Sequence, residues 1–204
     1  MSSEMRVLQA IRLKGRPSGA DIALAAGLDA ASLGPTLRKL VGAEQCTEIG
    51  GRYKLTAAGR ERLTGLIADE RGGVDQYALA EVYQRFDTHN TAFKQIVTDW
   101  QIKDGATPND HADADYDGKI VDRLTGLHHE FRSVLAEIVG FAPRLAPYPA
   151  RFAAALAKIQ AGEHSWLARP MVDSYHTVWF ELHEDLIGLT GRTRADEASA
   201  GRAE

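Results

Sequence analysis

Residues 44–60 read Glu-Gln-Cys-Thr-Glu-Ile-Gly-Gly-Arg-Tyr-Lys-Leu-Thr-Ala-Ala-Gly-Arg, and this stretch decides the fold of the first third of the 204-residue chain. Two segments that can pair as strands flank Gly50-Gly51, because both glycines adopt the positive φ that a tight two-residue turn requires. The two segments are 44–49 and 52–55. Thr56 is a suitable N-cap for a helix that continues to about residue 67. The stretch therefore predicts a β-hairpin that leads directly into a helix.

Three helical segments precede the hairpin. Apolar residues recur at helical spacing in residues 4–14, in residues 20–26 and after Asp29, which is a suitable N-cap for the third helix. Gly27 ends the second helix and Gly42 ends the third. The resulting order of helix, helix, helix, hairpin and helix is the order of a winged helix-turn-helix domain.

The segment Lys54-Leu-Thr-Ala-Ala-Gly-Arg60 resembles the strand-to-helix passage of MarR- and PadR-like transcriptional regulators, and the resemblance extends over residues 4–70. It implies that residues 1–70 form a domain that binds double-stranded DNA. The third helix would enter the major groove, and the hairpin would contact the backbone or the minor groove. The side chains placed for these contacts are Ser32, Thr36, Arg38 and Lys39 on the third helix, and Arg52 and Lys54 on the hairpin.

The distribution of charge agrees with this assignment without requiring it. Residues 1–65 contain 10 Lys and Arg against 6 Asp and Glu, a net charge of +4, and the remaining residues contain 14 against 22, a net charge of −8. A basic segment beside an acidic one favours binding to nucleic acid. A charge of +4 over this length is also unremarkable for an ordinary protein surface.

Gly34-Pro35 lies inside the predicted third helix, on the face that should meet the bases. Neither side chain can donate or accept a hydrogen bond, and proline lacks the backbone donor that a helix interior uses. The helix therefore either begins later, with Ser32 as its N-cap, or bends at Pro35. Both alternatives weaken sequence-specific reading of DNA, so a winged helix that contacts another protein stays open.

Composition excludes several classes of protein. Cys46 is the only cysteine, so neither an internal disulfide nor a cysteine-based metal site is expected. The first residues show no secretory signal, and no run approaches the roughly 18 apolar residues of a membrane helix. We therefore expect a cytoplasmic protein with no membrane partner.

The second part of the chain begins after Glu70-Arg-Gly-Gly73, where two glycines follow a charged helix end. Four apolar patterns at helical spacing follow, and the proline-rich segment 142–149 separates the second from the third. The patterns span Leu79–Trp100, Ile120–Ile138, Phe152–Ile159 and Met171–Leu189. We predict an antiparallel helical bundle over 74–191 that binds a ligand and dimerises. The composition of residues 192–204 predicts a disordered tail.

The bundle contains all seven histidines and all three tryptophans of the chain. His176, Trp179 and His183 share one face of the fourth helix, at the spacing i, i+3, i+7. Such a set suits the wall of a small-molecule pocket, or alternatively the axial ligands of a tetrapyrrole or the ligands of a transition metal. Histidines that simply fill the bundle core are a third interpretation. The predicted wall comprises His128, His129, Tyr175, His176, Trp179 and His183.

Residues 90–101 contribute three further candidates for ligand binding. Asn90 and Lys94 lie one turn apart on one helical face and could hold an anion, and Trp100 follows them. Equally, Asn90 and Lys94 could belong to a solvated surface. The identity of any ligand or cofactor stays unknown at this point.

The acidic loop 109–118 matches the opening of an EF-hand at Asp113, Asp115, Asp117 and Gly118. Leu124 stands where that motif requires a bidentate glutamate. We therefore expect no metal here and interpret the loop as the N-terminal cap of the second bundle helix.

A second resemblance covers about residues 77–190. Segments 90–101, 108–116 and 173–185 are similar to a helical region that is appended to actinobacterial pyruvate phosphate dikinase-like, phosphoenolpyruvate-utilising proteins. The 204 residues are too few for the ATP-grasp and phosphohistidine domains of those enzymes. No dikinase activity is therefore expected.

Two functions follow from these patterns. The first is a homodimeric DNA-binding transcriptional regulator whose helical part senses a small-molecule effector. The second is an interaction module for an enzyme that metabolises phosphoenolpyruvate or pyruvate. No nucleophile–base pair, phosphate-binding loop or complete metal motif is evident, so we expect neither enzyme activity nor catalytic residues.

Overall fold

Residues 3–199 are described by a computed structural model, and most of them are helical. The first part, which we call the head, contains α1 (Ser3–Lys14), α2 (Gly19–Ala26), α3 (Ala30–Gly42), β1 (Cys46–Ile49), β2 (Arg52–Leu55) and α4 (Ala57–Gly72). The second part, the body, contains α5 (Gln76–Gln101), β3 (Ile102–Lys103), β4 (Thr107–Pro108), α6 (Ala114–Phe141), α7 (Tyr148–Gln160), α8 (Tyr175–Thr190) and α9 (Arg194–Ser199). Short 3-10 turns lie at Pro143–Leu145 and His164–Trp166.

The predicted hairpin is confirmed. β1 and β2 pair antiparallel, with Cys46 opposite Leu55 and Ile49 opposite Arg52. Gly50 and Gly51 form the turn at φ values of 60° and 72°, in the left-handed region that glycine reaches without strain. The segment before α2 extends the sheet, because the Tyr53 amide donates to the Pro17 carbonyl over 3.0 Å.

Helix α3 begins earlier than it would with Ser32 as its N-cap, which was one of the two alternatives. Asp29, not Ser32, is the N-cap, and its carboxylate accepts a hydrogen bond from the Ser32 amide over 2.8 Å. The helix continues through Pro35, which withholds a donor from the carbonyl of Ala31. Both Ala31 and Pro35 are exposed, so solvent can satisfy that carbonyl.

Two hydrophobic cores lie on either side of the head–body boundary. The core of the head joins α1, α2 and α3 to the hairpin, and its fully buried members include Val7, Leu8, Ile11 and Ile22. The larger core of the body runs from Leu79 to Leu189. In the body, α5 packs along α6 and α7 packs along α8, and α8 also contacts α4 of the head.

The segment from residue 192 differs from the predicted disordered tail. Arg194–Ser199 form α9, and the side chain of Glu197 in it is completely buried. The Tyr83 hydroxyl donates to Glu197 Oε2 over 2.6 Å, and Arg192 Nη1 donates to Oε1 over 3.1 Å. The amino-acid composition of this segment does not predict these specific contacts, which attach α9 to the body. Residues 200–204 lie outside the described residues.

The loop before α6 behaves as its acidic composition predicts. Asp113 is the N-cap of α6 and accepts a hydrogen bond from the Tyr116 amide over 3.0 Å. Asp117 is buried and accepts from Asn109 Nδ2 over 2.8 Å. Within residues 3–199, no helix combines the length and the apolar composition that a membrane span needs.

Gly59 marks the closest approach between α4 and the hairpin. A Cβ atom at this position would lie 1.9 Å from the Gln45 carbonyl oxygen, which belongs to the backbone and cannot move aside as a side chain could. That carbonyl already accepts a hydrogen bond from the Thr56 amide over 3.1 Å. The entry into α4 therefore requires glycine at position 59.

We expect Gly59→Ala to lower the free energy of unfolding by about 1–3 kcal/mol, because the added methyl group must displace the backbone of Gln45, just before β1. Urea denaturation followed by circular dichroism measures the change. Gly65→Ala on the same helix is the matched control, since a Cβ there meets nothing within 4 Å. The control should gain about 0.5–1 kcal/mol from helix propensity. Equal effects of the two variants would contradict the packing argument.

Candidate functional site

The residues predicted to contact DNA from α3 differ in their exposure. Ser32, Arg38 and Lys39 are exposed, and Lys39 Nζ lies 3.8 Å from a carboxylate oxygen of Glu4. Thr36 is half-buried instead, and its hydroxyl lies 3.1 Å from the Ser3 hydroxyl and donates to the Ser32 carbonyl over 3.0 Å. Thr36 therefore faces α1, and three of the four side chains remain accessible to a partner.

Both candidates on the hairpin are exposed. Arg52 and Lys54 are two residues apart on β2, so they share one face of the strand. Arg52 Nη1 donates to the carbonyl of Arg16 over 3.0 Å, which adds a third basic residue beside them. Ile49 at the turn exposes 67% of its surface, an unusual position for a large apolar side chain.

Several of the predicted ligand-binding residues of the body lie close together, but they lie in its hydrophobic core. Trp179 Nε1 donates to Asn90 Oδ1 over 2.9 Å, and both side chains are buried. The Tyr175 hydroxyl lies 3.2 Å from His128 Nδ1. These polar atoms thus satisfy one another inside the body.

Aromatic rings occupy the space around Trp179. The ring centroid of Trp179 lies 4.5 Å from that of Phe93 and 4.7 Å from that of Phe131. Phe86 stacks on the same indole at 5.6 Å. Direct contacts of this kind fill a core, so the interpretation of these histidines and tryptophans as packing fits the geometry better than a cavity wall.

The remaining candidates of the body are dispersed. His183 packs against Phe86, with the ring centroids 5.2 Å apart, and its Nε2 lies 3.1 Å from the Tyr83 hydroxyl. His176 is half-buried beside Phe93. The ring of Trp100 packs at a tilt against that of His111, with the centroids 4.3 Å apart. His129 is exposed and Lys94 is half-buried. Within the described part of the chain, no group of three His, Cys, Asp or Glu side chains is arranged to hold a metal ion.

A buried ionic network between head and body was not predicted from the sequence. Its first centre is Asp185 on α8, which accepts hydrogen bonds from Arg144 Nη1 over 2.5 Å and from the Tyr148 hydroxyl over 2.5 Å. Gln9 on α1 donates to the same carboxylate over 2.7 Å. Arg144 also donates from Nε to Glu70 on α4 over 2.8 Å. One arginine of the body therefore binds carboxylates from both parts.

The second centre of the network is Arg151 on α7. Its guanidinium donates to Asp173 over 2.8 Å and to Glu181 over 2.5 Å. Lys14, the last residue of α1, donates to the same two carboxylates over 2.6 Å and 3.0 Å. Each carboxylate is thus shared between a cation of the body and a cation of the head.

Ionic partners offset the effect of burial on the pKa values of Asp173 and Arg144. Burial alone would raise the pKa of Asp173, but Arg151 and Lys14 outweigh it and hold that pKa below its ordinary value. Burial likewise opposes the charge of Arg144, yet Asp185 and Glu70 raise its pKa. Burial and the neighbouring Asp185 raise the pKa of the Tyr148 hydroxyl well above its usual value, so it remains a donor. The buried carboxylates and cations of the network therefore compensate one another.

A groove of about 880 Å³ lies between α2 of the head and α7 of the body. Most of its wall is apolar. The lining includes Ala23, Leu24, Leu28, Pro147, Ala150, Ala154 and Trp166. Arg151 and Asp173 of the ionic network also border it, so the groove lies directly beside the contacts that hold the head.

No protein-family model, no curated protein and no solved structure matches this chain. The functional assignment therefore depends on the site geometry and on the sequence patterns alone.

We expect Asp185→Asn to lower the free energy of unfolding by about 3–5 kcal/mol, because it leaves the buried Arg144 without half of its compensating charge. Urea denaturation measures this change. Glu137→Gln is the control, since it breaks an ion pair with Arg85 that is exposed to solvent and contributes little. A loss at Asp185 no larger than that at Glu137 would rule out a structural role for the network.

The stability of the body should fall in acid because of His128. Burial lowers the pKa of this histidine below its ordinary value of 6.5, and the positive charges of His129 and Arg132 add to the shift. The unfolded chain then binds more protons than the folded one once the pH drops below 6.5. The free energy of unfolding should decrease between about pH 7 and about pH 5, by at most about 1.4 kcal/mol per pH unit for this group.

Urea denaturation at a series of pH values tests this expectation. His128→Gln should reduce the slope of stability against pH. Tyr175→Phe removes the hydrogen bond to His128 but keeps the His128 imidazole, which is the group that titrates. This variant should lower the free energy of unfolding with little effect on its slope against pH. An unchanged slope in His128→Gln would show that other groups cause the acid sensitivity.

Proposed function

We propose that this chain is a DNA-binding transcriptional regulator with a winged helix-turn-helix head. The observation that carries the proposal is the order α1, α2, α3, β1, β2, α4, combined with exposed basic side chains on α3 and on the hairpin. In winged helices these two elements are the ones that approach DNA. Arg38 and Lys39 on α3 would contact the major groove, and Arg52 and Lys54 would contact the backbone beside it.

The type of side chain favours binding through phosphates. Arginine and lysine are the usual partners of phosphate oxygens, and the exposed Ser32 hydroxyl is a further donor. Gly34 and Pro35 occupy the middle of α3 and offer no side-chain hydrogen bond to a base. We therefore infer moderate sequence selectivity, with shape and charge contributing most of the affinity.

The body would regulate the head. In this proposal it binds a small-molecule effector and forms a homodimer, so that two heads are held at the spacing of two half-sites on DNA. The ionic network supports a regulatory link, because Arg144 of the body binds Glu70 of α4 and Arg151 of the body shares Asp173 with Lys14 of α1.

A second candidate function is an interaction module for an enzyme of phosphoenolpyruvate or pyruvate metabolism. The exposed Pro35 in α3 favours it, because this face lacks the donors and acceptors that base reading needs. The head would then bind a protein surface through the same face of α3 and the exposed Ile49.

A gel-shift titration with the DNA upstream of the gene, at several salt concentrations, tests the regulator. Lys54→Ala should weaken binding to all DNA sequences alike and make the logarithmic salt dependence less steep by about 1, because one phosphate contact is lost. Lys119→Ala, an exposed lysine on α6, is the matched control and should bind as the unmodified protein does. Absence of a shift even at low salt would contradict DNA binding and favour the interaction module.

A further inference from the structure

The two walls of the groove between α2 and α7 touch at one point. Gly27, which ends α2 at a φ of +57°, lies so close to Pro147 that a Cβ on Gly27 would be 2.6 Å from the proline Cγ. Both residues belong to the groove lining, so the head and the body are in direct contact within it.

The walls of the groove consist mainly of small side chains. Ala23 on α2 lines the groove together with Ala146, Ala150 and Ala154, which lie just before α7 and within it. Small side chains on both walls keep the space between the helices open. Leu24 exposes 55% of its surface here. The volume of about 880 Å³ falls in the range of small-molecule sites, which are largely apolar with a few polar groups.

The charged residues on the groove are mostly basic. Arg6, Arg151 and Lys158 line it, against the single carboxylate of Asp173. Arg151 and Asp173 neutralise each other in the ionic network. Lys158 is 42% exposed, and its Nζ lies 3.9 Å from the centroid of the Trp166 ring and 3.9 Å from a carboxylate oxygen of Glu163. Both partners of this long ion pair are exposed, so the pair contributes little and leaves Lys158 able to bind a negative group at the Trp166 end.

We propose that this groove binds a small, mainly apolar molecule that carries one acidic group. The apolar part lies between Leu24 and Ala154, and the acidic group lies beside Lys158. This assigns the ligand site to the head–body boundary rather than to the histidines and tryptophans of the core. Its role as the effector site rests on the proposed regulatory function, whereas ligand binding itself does not.

The position of the groove explains how a bound ligand would affect the head. Arg151 and Asp173 border the groove and also bind, directly or through a shared carboxylate, Lys14 at the end of α1. A ligand that contacts these side chains alters the interaction that holds α1 against the body. Ligand binding in the groove and docking of the head on the body are therefore coupled, because both involve Arg151 and Asp173.

The probe for a test is 1-anilinonaphthalene-8-sulfonate, an apolar ring system with one sulfonate whose fluorescence rises in apolar sites. Titration of the full chain should give saturable binding at a single site. Ala154→Trp fills the groove from α7 and should weaken binding at least about tenfold. Leu24→Glu alters the opposite wall and places a negative charge there, so it should weaken binding as well. Circular dichroism verifies that each variant is folded.

Ala153→Trp is the matched control, because Ala153 is exposed on the same helix but lies outside the groove lining. It should bind the probe as the unmodified protein does. Unchanged binding in both groove variants, or an equal loss in the control, would overturn the proposal.

The acidic group is tested with N-phenyl-1-naphthylamine, which has the same rings without the sulfonate. The sulfonated probe should bind more tightly, and Lys158→Gln should weaken only that probe, by about two- to fivefold. Equal affinity of the two probes would refute the preference for an anion.

Gel shifts with and without the sulfonated probe separate this inference from the proposed function. Probe binding that persists while no DNA is bound supports the groove and refutes the regulator. DNA binding without any probe binding supports the regulator and refutes the groove.

Discussion

The carboxylate of Asp185 is the contact on which the arrangement of this molecule depends. It accepts hydrogen bonds from Gln9 in α1 and from Arg144 and Tyr148 at the start of α7 and just before it, so its donors come from two distant parts of the chain. A buried charge is stable only where its partners are already in place, so Asp185 requires α1, the turn before α7 and α8 to fold together. Arg151 imposes the same requirement one turn away, at Glu181. Hydrophobic contacts build each core, and these polar contacts fix the position of one core against the other.

The network limits how the head can act. A small domain on a flexible linker could move independently of the rest of the chain, whereas this head is held by Lys14, Gln9 and Glu70 against the body. Any regulation must therefore change the contacts at this boundary or the spacing between two whole molecules. The apolar groove lies at that boundary, beside Arg151, which makes it the natural place for a small molecule to have an effect.

Local signals in the sequence predicted local structure. Gly50-Gly51 predicted the hairpin, and Asp29, Thr56 and Asp113 are N-caps because each supplies a side-chain oxygen just before a helix. The contacts between distant residues were not predictable in this way. Gln9 and Asp185 are 176 positions apart, and Arg144 stands in a proline-rich segment that resembles a simple spacer. One signal was available, since Glu181 and Asp185 interrupt the apolar face of α8 at a spacing of one turn. The concentration of histidines and tryptophans in the body suggested a ligand site, but aromatic packing explains their positions.

The shared carboxylates also bear on how such a protein could evolve. Small domains are often treated as modules that recombine freely with new partners. Here, exchange of the head alone would remove Lys14 and Glu70 together and leave Arg144, Arg151 and their acidic neighbours in the body with altered charge balance. A replacement head would have to present matching charges at the ends of two helices. Head and body should therefore be inherited as a pair, and substitutions at this boundary should occur in concert.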